Sequence, residues 1–205
     1  MKEIAIVTGG DSAEYEISLQ SADVVLKNLN SNKYHGTIIQ IKDNKWYASV
    51  DNDKIEIDKK YFTIKINSKI IRFDYVFMAL HGPPAENGEL QPYFDKLKIP
   101  YSSCTSEVSA LTFNKLKCNN ELTKLGFKCA KSIHLKKEDK INKTEIIEKL
   151  GLPFFVKPNQ SGSSFGVSKV NNELEIDIAI NNAFIYDDIV LIEEFIDGTE
   201  VSCGV

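Results

Sequence analysis

The run YVFMAL at 75–80 sets the tightest limit on the fold. An apolar stretch without alternation makes a strand covered on both faces, and such strands belong to parallel sheets flanked by helices. The start of the chain fits that demand. A short strand at 4–7 meets Gly9 and Gly10, and a helix follows over about 12–29 with Ile17, Val24, Val25 and Leu29 on its expected inner side. A second strand over 36–41 completes a βαβ unit. From 42 to 73 the pattern changes to short alternating runs rich in Ile, Tyr and Lys, broken at 43–44, 51–53 and 67–68, which read as a hairpin-like insertion. The 75–80 strand ends on His81 and Gly82, and a helix over 89–98 then sets Leu90, Tyr93, Phe94 and Leu97 at helical spacing.

After a polar turn at 102–106, helical periodicity resumes near Val108 and runs through Leu116, Leu122 and Leu125 to a stop at Gly126. Strands at 130–134, 154–157, 167–170 and 189–194 alternate with a charged linker at 136–140 and helices over 144–150 and 173–184. The reading is α/β throughout: a Rossmann-like parallel-sheet domain over 1–101, with its insertion at 42–73, and an α+β domain over 102–205. Residues 200–205 read as a strand stopped in mid-course, so the chain is expected to be truncated.

Composition narrows the chemistry. With 205 residues, 42% of them apolar, the chain can fill cores of this size, and its net charge of -4 with dispersed Lys and Arg leaves no footprint for nucleic acid or an anionic membrane. No apolar run approaches the roughly 18 residues that span a bilayer, and the opening MKEIAIVTGG lacks the apolar core of a signal peptide. Cys104, Cys118, Cys129 and Cys203 show neither CxxC spacing nor neighbouring His pairs, which argues against zinc and for reduced cytoplasmic thiols. Small-molecule work is the remaining class.

The segment FFVKP at 154–158 carries the strongest chemical signal, because a lysine inside an apolar strand is costly unless an anion meets it. The loop NQSGSSFG at 159–166 follows, with glycine freedom, backbone N–H groups and hydroxyls that suit a phosphate. Read alone, it is equally a Gly/Ser turn with a lysine at a strand end. Downstream, VLIEEFIDGTE at 190–200 puts carboxylates past an apolar platform, an arrangement that suits adenine stacking and a bonded ribose. Neither a GxxxxGK[ST] loop nor a GxGxxG fingerprint is present, so a nucleotide must be held in another way.

Lys115, VKP at 156–158, GSSFG at 162–166 and LIEEFIDGTEVS at 191–202 together resemble the first part of an ATP-grasp ligase. GGDSAEYEIS at 9–18 and ALHG at 79–82 narrow the resemblance to the D-alanine:D-alanine ligase family, colinear over nearly the whole chain. The resemblance implies an N-terminal Rossmann-like domain followed by the central ATP-grasp subdomain, without the C-terminal one. It implies ATP-dependent joining of two D-alanines through an acyl phosphate, for peptidoglycan precursors, in a cytoplasmic homodimer. Lys115 and Lys157 would neutralise the ATP phosphates, and Ser163 and Ser164 would lie in the loop capping them. Glu193 would accept from the adenine amino group, Glu194 and Ile196 would meet the base edge through backbone atoms, and Glu200 would hold the ribose. Glu14 would bind the first D-alanine's ammonium with Ser163 in the same network, and His81 would sit near its carboxylate. Magnesium or manganese is implied too, with ligands beyond residue 205, so the chain alone is expected to be inactive.

Other readings of these residues stand beside that one. Glu14 could merely favour the start of a helix, His81 could bond to backbone, and Lys115 by itself resembles a solvated surface lysine. Two departures from the family pattern bear on the site: GPPAENG at 82–88 puts Ala85 where a glycine is usual, a source of strain if that position needs positive φ, and Asn114 stands where aspartate is common. Rival functions are a non-catalytic ATP-binding fragment, or a ligase that takes D-lactate or D-serine as second substrate.

Overall fold

Strand β1 (Lys2–Gly9) is buried from Ile4 onward, as a strand covered on both faces must be. The computed structural model describes residues 1–51 and 53–201, which fall into two compact units, Met1–Phe113 and Asn114–Val205. In chain order the first unit runs β1, α1 (Tyr15–Asn28), β2 (Tyr34–Lys42), β3 (Lys45–Val50), β4 (Asp53–Glu56), β5 (Thr63–Ile66), β6 (Lys69–Arg72), β7 (Tyr75–Met78), α2 (Gln91–Leu97) and α3 (Ser106–Phe113). Side chains of β1 alternate between two cores. Ile4 and Ile6 meet Ala22, Val25 and Leu29 of the α1 segment, while Ala5 and Val7 join Ile39, Trp46, Phe62 and Phe94.

The sheet order is β4-β3-β2-β1-β7, with β2, β1 and β7 parallel and β3 and β4 antiparallel. The expected insertion is therefore two structures. β3 and β4 extend the main sheet, and β5 and β6 form a separate hairpin; Phe62, just before β5, and Ile64 within it close the aromatic core. In that core Phe94 lies 4.9 Å from Phe62 and 5.0 Å from Tyr93 between ring centroids. Burial, with the charge of Asp58 adding to it, pushes the Tyr93 phenol up to about 12, and its hydroxyl donates to the Lys59 carbonyl at 2.7 Å.

Three expectations change. The inner face of α1 carries Ser18 and Ala22, with Val25 and Leu29 partly buried, while Ile17 and Val24 are 43% and 60% exposed. Small residues let the helix approach the sheet, and the Ser18 hydroxyl accepts the His81 N–H at 2.9 Å. The division between units falls after Phe113 rather than after 101, because α3 belongs with the first unit: Ser106 donates to the Gly88 carbonyl at 2.6 Å and the Gln91 amide to Ser109 Oγ at 3.2 Å. The helix expected across 108–125 breaks at Asn114, whose backbone is extended (φ -89°, ψ 97°) and whose side chain accepts the Lys117 N–H at 2.9 Å. An N-capping asparagine starts a new helix there.

That new helix is α4 (Lys115–Lys124), followed by β8 (Ser132–Lys136), α5 (Lys143–Leu150), β9 (Phe154–Pro158), β10 (Ser168–Val170), a 3₁₀ turn (Glu173–Glu175), α6 (Ile176–Ala183) and β11 (Ile189–Glu194). The four strands form an antiparallel sheet in the order β10-β9-β11-β8. Ile146 of α5 and Ile176 and Ile180 of α6 cover one face, against Phe154, Val156, Val190 and Ile192. Strand alternation then turns Phe155, Lys157 and Glu193 to the opposite face. Of the strand expected at 200–205, Glu200 and Val201 lie outside any strand, and the rest, with Cys203 and the Asn52 turn position, lies outside the described residues. Cys104, Cys118 and Cys129 are free thiols.

Candidate functional site

On that opposite face of the second unit a cavity of about 780 Å³ opens, within the range of roughly 300–1,000 Å³ usual for small-molecule pockets. Its wall includes Lys115, Lys157, Ser163, Ser164, Glu193, Glu194, Ile196 and Glu200. Every residue named from the sequence as nucleotide-binding therefore faces one space.

Lys157 emerges from β9 with its neighbours Phe154 and Val156 buried in the core behind it. The anion that meets its ammonium within the protein is Glu193, and the two form a close ion pair with side chains 24% and 11% exposed. The pairing follows from register: Leu191 lies opposite Lys157 and Glu193 opposite Phe155, so lysine and glutamate are diagonal neighbours on the cavity face. The other Glu193 oxygen accepts from Asn119 Nδ2 of α4 at 3.1 Å. Glu194 turns to Lys131, accepting its backbone N–H at 2.8 Å.

The break at Asn114 gives Lys115 its place. As the first residue of α4, it donates its ammonium to the Ser161 carbonyl at 2.7 Å and the Asn159 carbonyl at 3.3 Å. Its amine is held below the ordinary lysine value, first by burial and then by the charge of Lys157, against the opposing pull of Asp187 and Glu193. Because only the neutral amine acylates, Lys115 is expected to reach half its maximal labelling rate at a pH below that of an ordinary lysine. Peptide mapping by mass spectrometry after acetic anhydride pulses across pH 7–11 checks this, and a midpoint at or above the ordinary value refutes it.

The loop between β9 and β10 is bent by unusual backbone. Ser163 and Ser164 have φ of 44° and 59°, in the left-handed region that non-glycine residues seldom occupy. Gly166 has φ of 73°, and a Cβ there would lie 2.6 Å from the Tyr186 ring and 2.8 Å from Pro158. Several of the loop's N–H groups serve the protein itself: Gln160 donates to Asp187 at 2.6 Å, Phe165 to the Gly162 carbonyl at 3.1 Å and Val167 to the Ser164 carbonyl at 3.2 Å. Phe155 and Phe195, which also line the cavity, lie 6.1 Å apart, with Lys169 Nζ 4.1 Å from the Phe195 ring centroid.

Glu14 and His81 stand in the first unit, Ser163 in the second. Glu14 is 5% exposed and precedes α1, yet its carboxylate does not cap the helix. It turns toward the loop after β7, where a Cβ on Gly82 would lie 3.3 Å from Glu14 Oε2. His81 sits past the carboxyl end of β7, the edge at which parallel sheets bind ligands. Its N–H donates to Ser18, its carbonyl accepts from Ser12 at 3.2 Å, and its Nε2 lies 2.9 Å from Ser21 Oγ, so the imidazole has a protein partner. Ala85 is not among the residues with positive φ, and the strain raised for it does not arise.

Family models complete the picture. Residues 3–104 match the D-ala D-ala ligase N-terminus and residues 121–205 match the D-ala D-ala ligase C-terminus. The chain belongs to the D-alanine–D-alanine ligase family. It is similar to the D-alanine–D-alanine ligase of Flavobacterium johnsoniae, 49% identical over 206 residues that cover 100% of this chain and 64% of that one. Among solved structures it resembles the VanG D-Ala:D-Ser ligase of Enterococcus faecalis, with TM-score 0.81 and 34% identity over 96% of this chain and 63% of that one. It also resembles the D-alanine–D-alanine ligase of Bacillus anthracis complexed with ATP, with TM-score 0.75 and 27% identity over 97% of this chain and 61% of that one. The chain thus spans a little under two thirds of the length of these family members.

Within this family fold the structure adds residues that the sequence reading passed over. Glu86 lines a second cavity, of about 380 Å³, together with His81 in the first unit, and its carboxyl is raised by burial and by the nearby Glu14 charge. A carboxylate soon after a buried parallel strand was the available signal. Asn119, one turn beyond Lys115, was legible only once the start of α4 was known. Among the described residues no group of three His, Cys, Asp or Glu side chains is placed to hold a metal ion, and the magnesium or manganese ligands implied by the resemblance are expected outside them.

Proposed function

We propose that this chain holds ATP in the second-unit cavity and the first D-alanine at the carboxyl edge of the first-unit sheet, for ATP-dependent ligation of two D-alanines. One observation carries the reading: two lysines, a Ser/Gly loop and a base-side carboxylate named independently from the sequence line a single cavity of about 780 Å³. The names and bound ATP of the similar proteins support it.

In this reading Lys115 and Lys157 meet the phosphates, since the Lys115 ammonium is held by neutral carbonyls and Lys157 is paired with Glu193, which leaves room for a polyanion. Phe155, Phe195 and Ile196 take the adenine face, while Glu193, with lone pairs left after Asn119 and Lys157, accepts the adenine amino group. Glu194 and Ile196 offer backbone atoms to the base edge, and Glu200 holds the ribose. Ser163 and Ser164 cover the terminal phosphates. Glu14 receives the ammonium of the first D-alanine, and a carboxylate oxygen of that D-alanine attacks the γ-phosphorus as ADP leaves. The second D-alanine's amine then displaces phosphate from the acyl phosphate. The protein's part is positioning and charge neutralisation, as phosphoryl transfer requires. The homodimer and cytoplasmic location that the resemblance implies belong to the same proposal. Among the described residues, no helix is long and apolar enough to cross a membrane.

Calorimetric titration tests the nucleotide half. ATP is expected to bind at least about tenfold more tightly than GTP, because Glu193 would face a guanine carbonyl oxygen instead of an amino donor. Equal affinity, or no ATP binding, overturns it. ADP release on addition of D-alanine, L-alanine, D-lactate or D-serine to the intact protein, rather than to this chain alone, tests the ligase half: release specific to D-alanine supports it, and ATP binding without D-alanine-dependent release favours a nucleotide-binding module. D-serine is included because VanG, named for that substrate, shares the fold at 34% identity.

A further inference from the structure

We propose that Asn159 is the positioning residue of the nucleotide cavity, fixing Lys115 and the phosphate loop as one piece; this rests on the ATP reading above. Asn159 does not touch the cavity. It is completely buried just past β9, where a sequence governed by burial alone would place an apolar residue. Its polar atoms instead join three elements. Oδ1 accepts the Leu116 N–H at 2.9 Å, one of the N-terminal donors that α4 cannot satisfy within itself. The Asn159 carbonyl accepts the Lys115 backbone N–H at 3.2 Å and the Lys115 ammonium at 3.3 Å, and its own N–H donates to the Ile189 carbonyl at the start of β11 at 2.9 Å.

The consequence is geometric. Lys115 carries a long side chain whose ammonium must stop in one place to meet a phosphate, and the carbonyls that stop it belong to Asn159 and Ser161. Those carbonyls stay put only if the turn after β9 is tied to the helix that bears the lysine, and the Asn159 side chain is the tie. Asn114 makes a useful contrast, since it caps the same helix end through Lys117 but is local to α4 and reaches neither loop nor strand. Asn159 Nδ2 is buried without a hydrogen-bond partner, so the residue is kept for its acceptor at the expense of its donor.

The test compares Asn159→Ala, Asn114→Ala, Lys115→Met and the Asn159→Ala/Lys115→Met double variant by thermal melting and ATP titration. Both asparagine variants are expected to melt earlier by similar amounts. Asn159→Ala is expected to weaken ATP binding about tenfold and Asn114→Ala less than about twofold, while the double variant binds within about twofold of Lys115→Met, because the asparagine acts through the lysine. Multiplying effects in the cycle, or equal ATP affinities for the two asparagine variants, overturn the proposal. Should Asn159→Ala not fold, Asn159→Ser, too short to reach Leu116, takes its place in the cycle. A second readout needs no nucleotide: the pH midpoint of Lys115 acylation should rise toward the ordinary lysine value in Asn159→Ala but not in Asn114→Ala. If wild type binds no ATP, the ATP reading fails, and this midpoint still decides the role of Asn159.

Discussion

Replacing Lys157 with alanine should weaken ATP binding by at least about a hundredfold, the largest loss expected from any single side chain in the cavity. Two effects add. The ammonium that would meet a phosphate disappears, and charge-assisted contacts of this kind contribute about 1.5–3 kcal/mol each. In addition Glu193, only 11% exposed, loses its counter-ion and leaves a negative charge facing the polyanion. The second effect is separable. Glu193→Gln in the Lys157→Ala background removes that charge and should recover part of the affinity, although Glu193→Gln alone should erode the preference for ATP over GTP. Calorimetry on the single and double variants measures both. An ATP affinity for Lys157→Ala within threefold of wild type would sink the assignment of Lys157 to the phosphates.

The sequence announced Lys157 because a lysine in an apolar strand is a visible contradiction, and its answer, a buried glutamate, was half visible. Lys157 and Glu193 were each marked for a nucleotide, yet their contact with each other was not, since it depends on β9 and β11 lying antiparallel with Leu191 opposite Lys157. Register across a sheet is a tertiary fact that no local pattern encodes. Lys115 shows the reverse. Within an unbroken helix it looks like solvated surface, and only the Asn114 cap, easily missed inside a periodic run, converts it into the first residue of a helix held against the Asn159 turn. One backbone break thus decided whether the residue had a role that could be argued from physics.

In the first unit the strands were legible because their apolar runs are continuous, whereas the inner face of α1 was not. Hydrophobicity pointed to Ile17 and Val24, but the sheet took Ser18 and Ala22, since closeness and a hydrogen bond to His81 matter more there than apolar area. The same helix and the turn before it explain why His81 is already partnered: Ser12 of the turn holds its carbonyl, and Ser18 and Ser21 of α1 hold its N–H and its ring. At Glu14 the side chain makes no capping bond to α1 and its carboxylate lies near Gly82 and Glu86, so the dipole explanation for an acidic residue at this position has no capping bond behind it.

Gly9→Ala should unfold the first unit at a temperature about 10–20 °C lower than wild type, the largest stability loss expected from a single methyl group in this chain. Gly9 ends β1 with φ of 100°, and a Cβ there would lie 2.2 Å from the Ile41 carbonyl oxygen. That oxygen cannot retreat, because it accepts the Gly10 N–H at 2.8 Å and its residue lies opposite Trp46 in the buried β2–β3 pair. An alanine therefore meets two penalties at once, left-handed backbone strain and overpacking against main chain, together roughly 3–5 kcal/mol. For a unit of this size that corresponds to the stated shift. The measurement is direct, since the chain contains one tryptophan, Trp46, inside the affected core. Its fluorescence reports the first unit, and calorimetric titration reports the cavity of the second. Below the lowered transition, ATP affinity should stay within about twofold of wild type, since every residue lining that cavity belongs to the second unit. A Trp46 transition unchanged within about 2 °C would mean that the end of β1 relaxes without cost and that the Gly9 conformation is not a requirement of the fold.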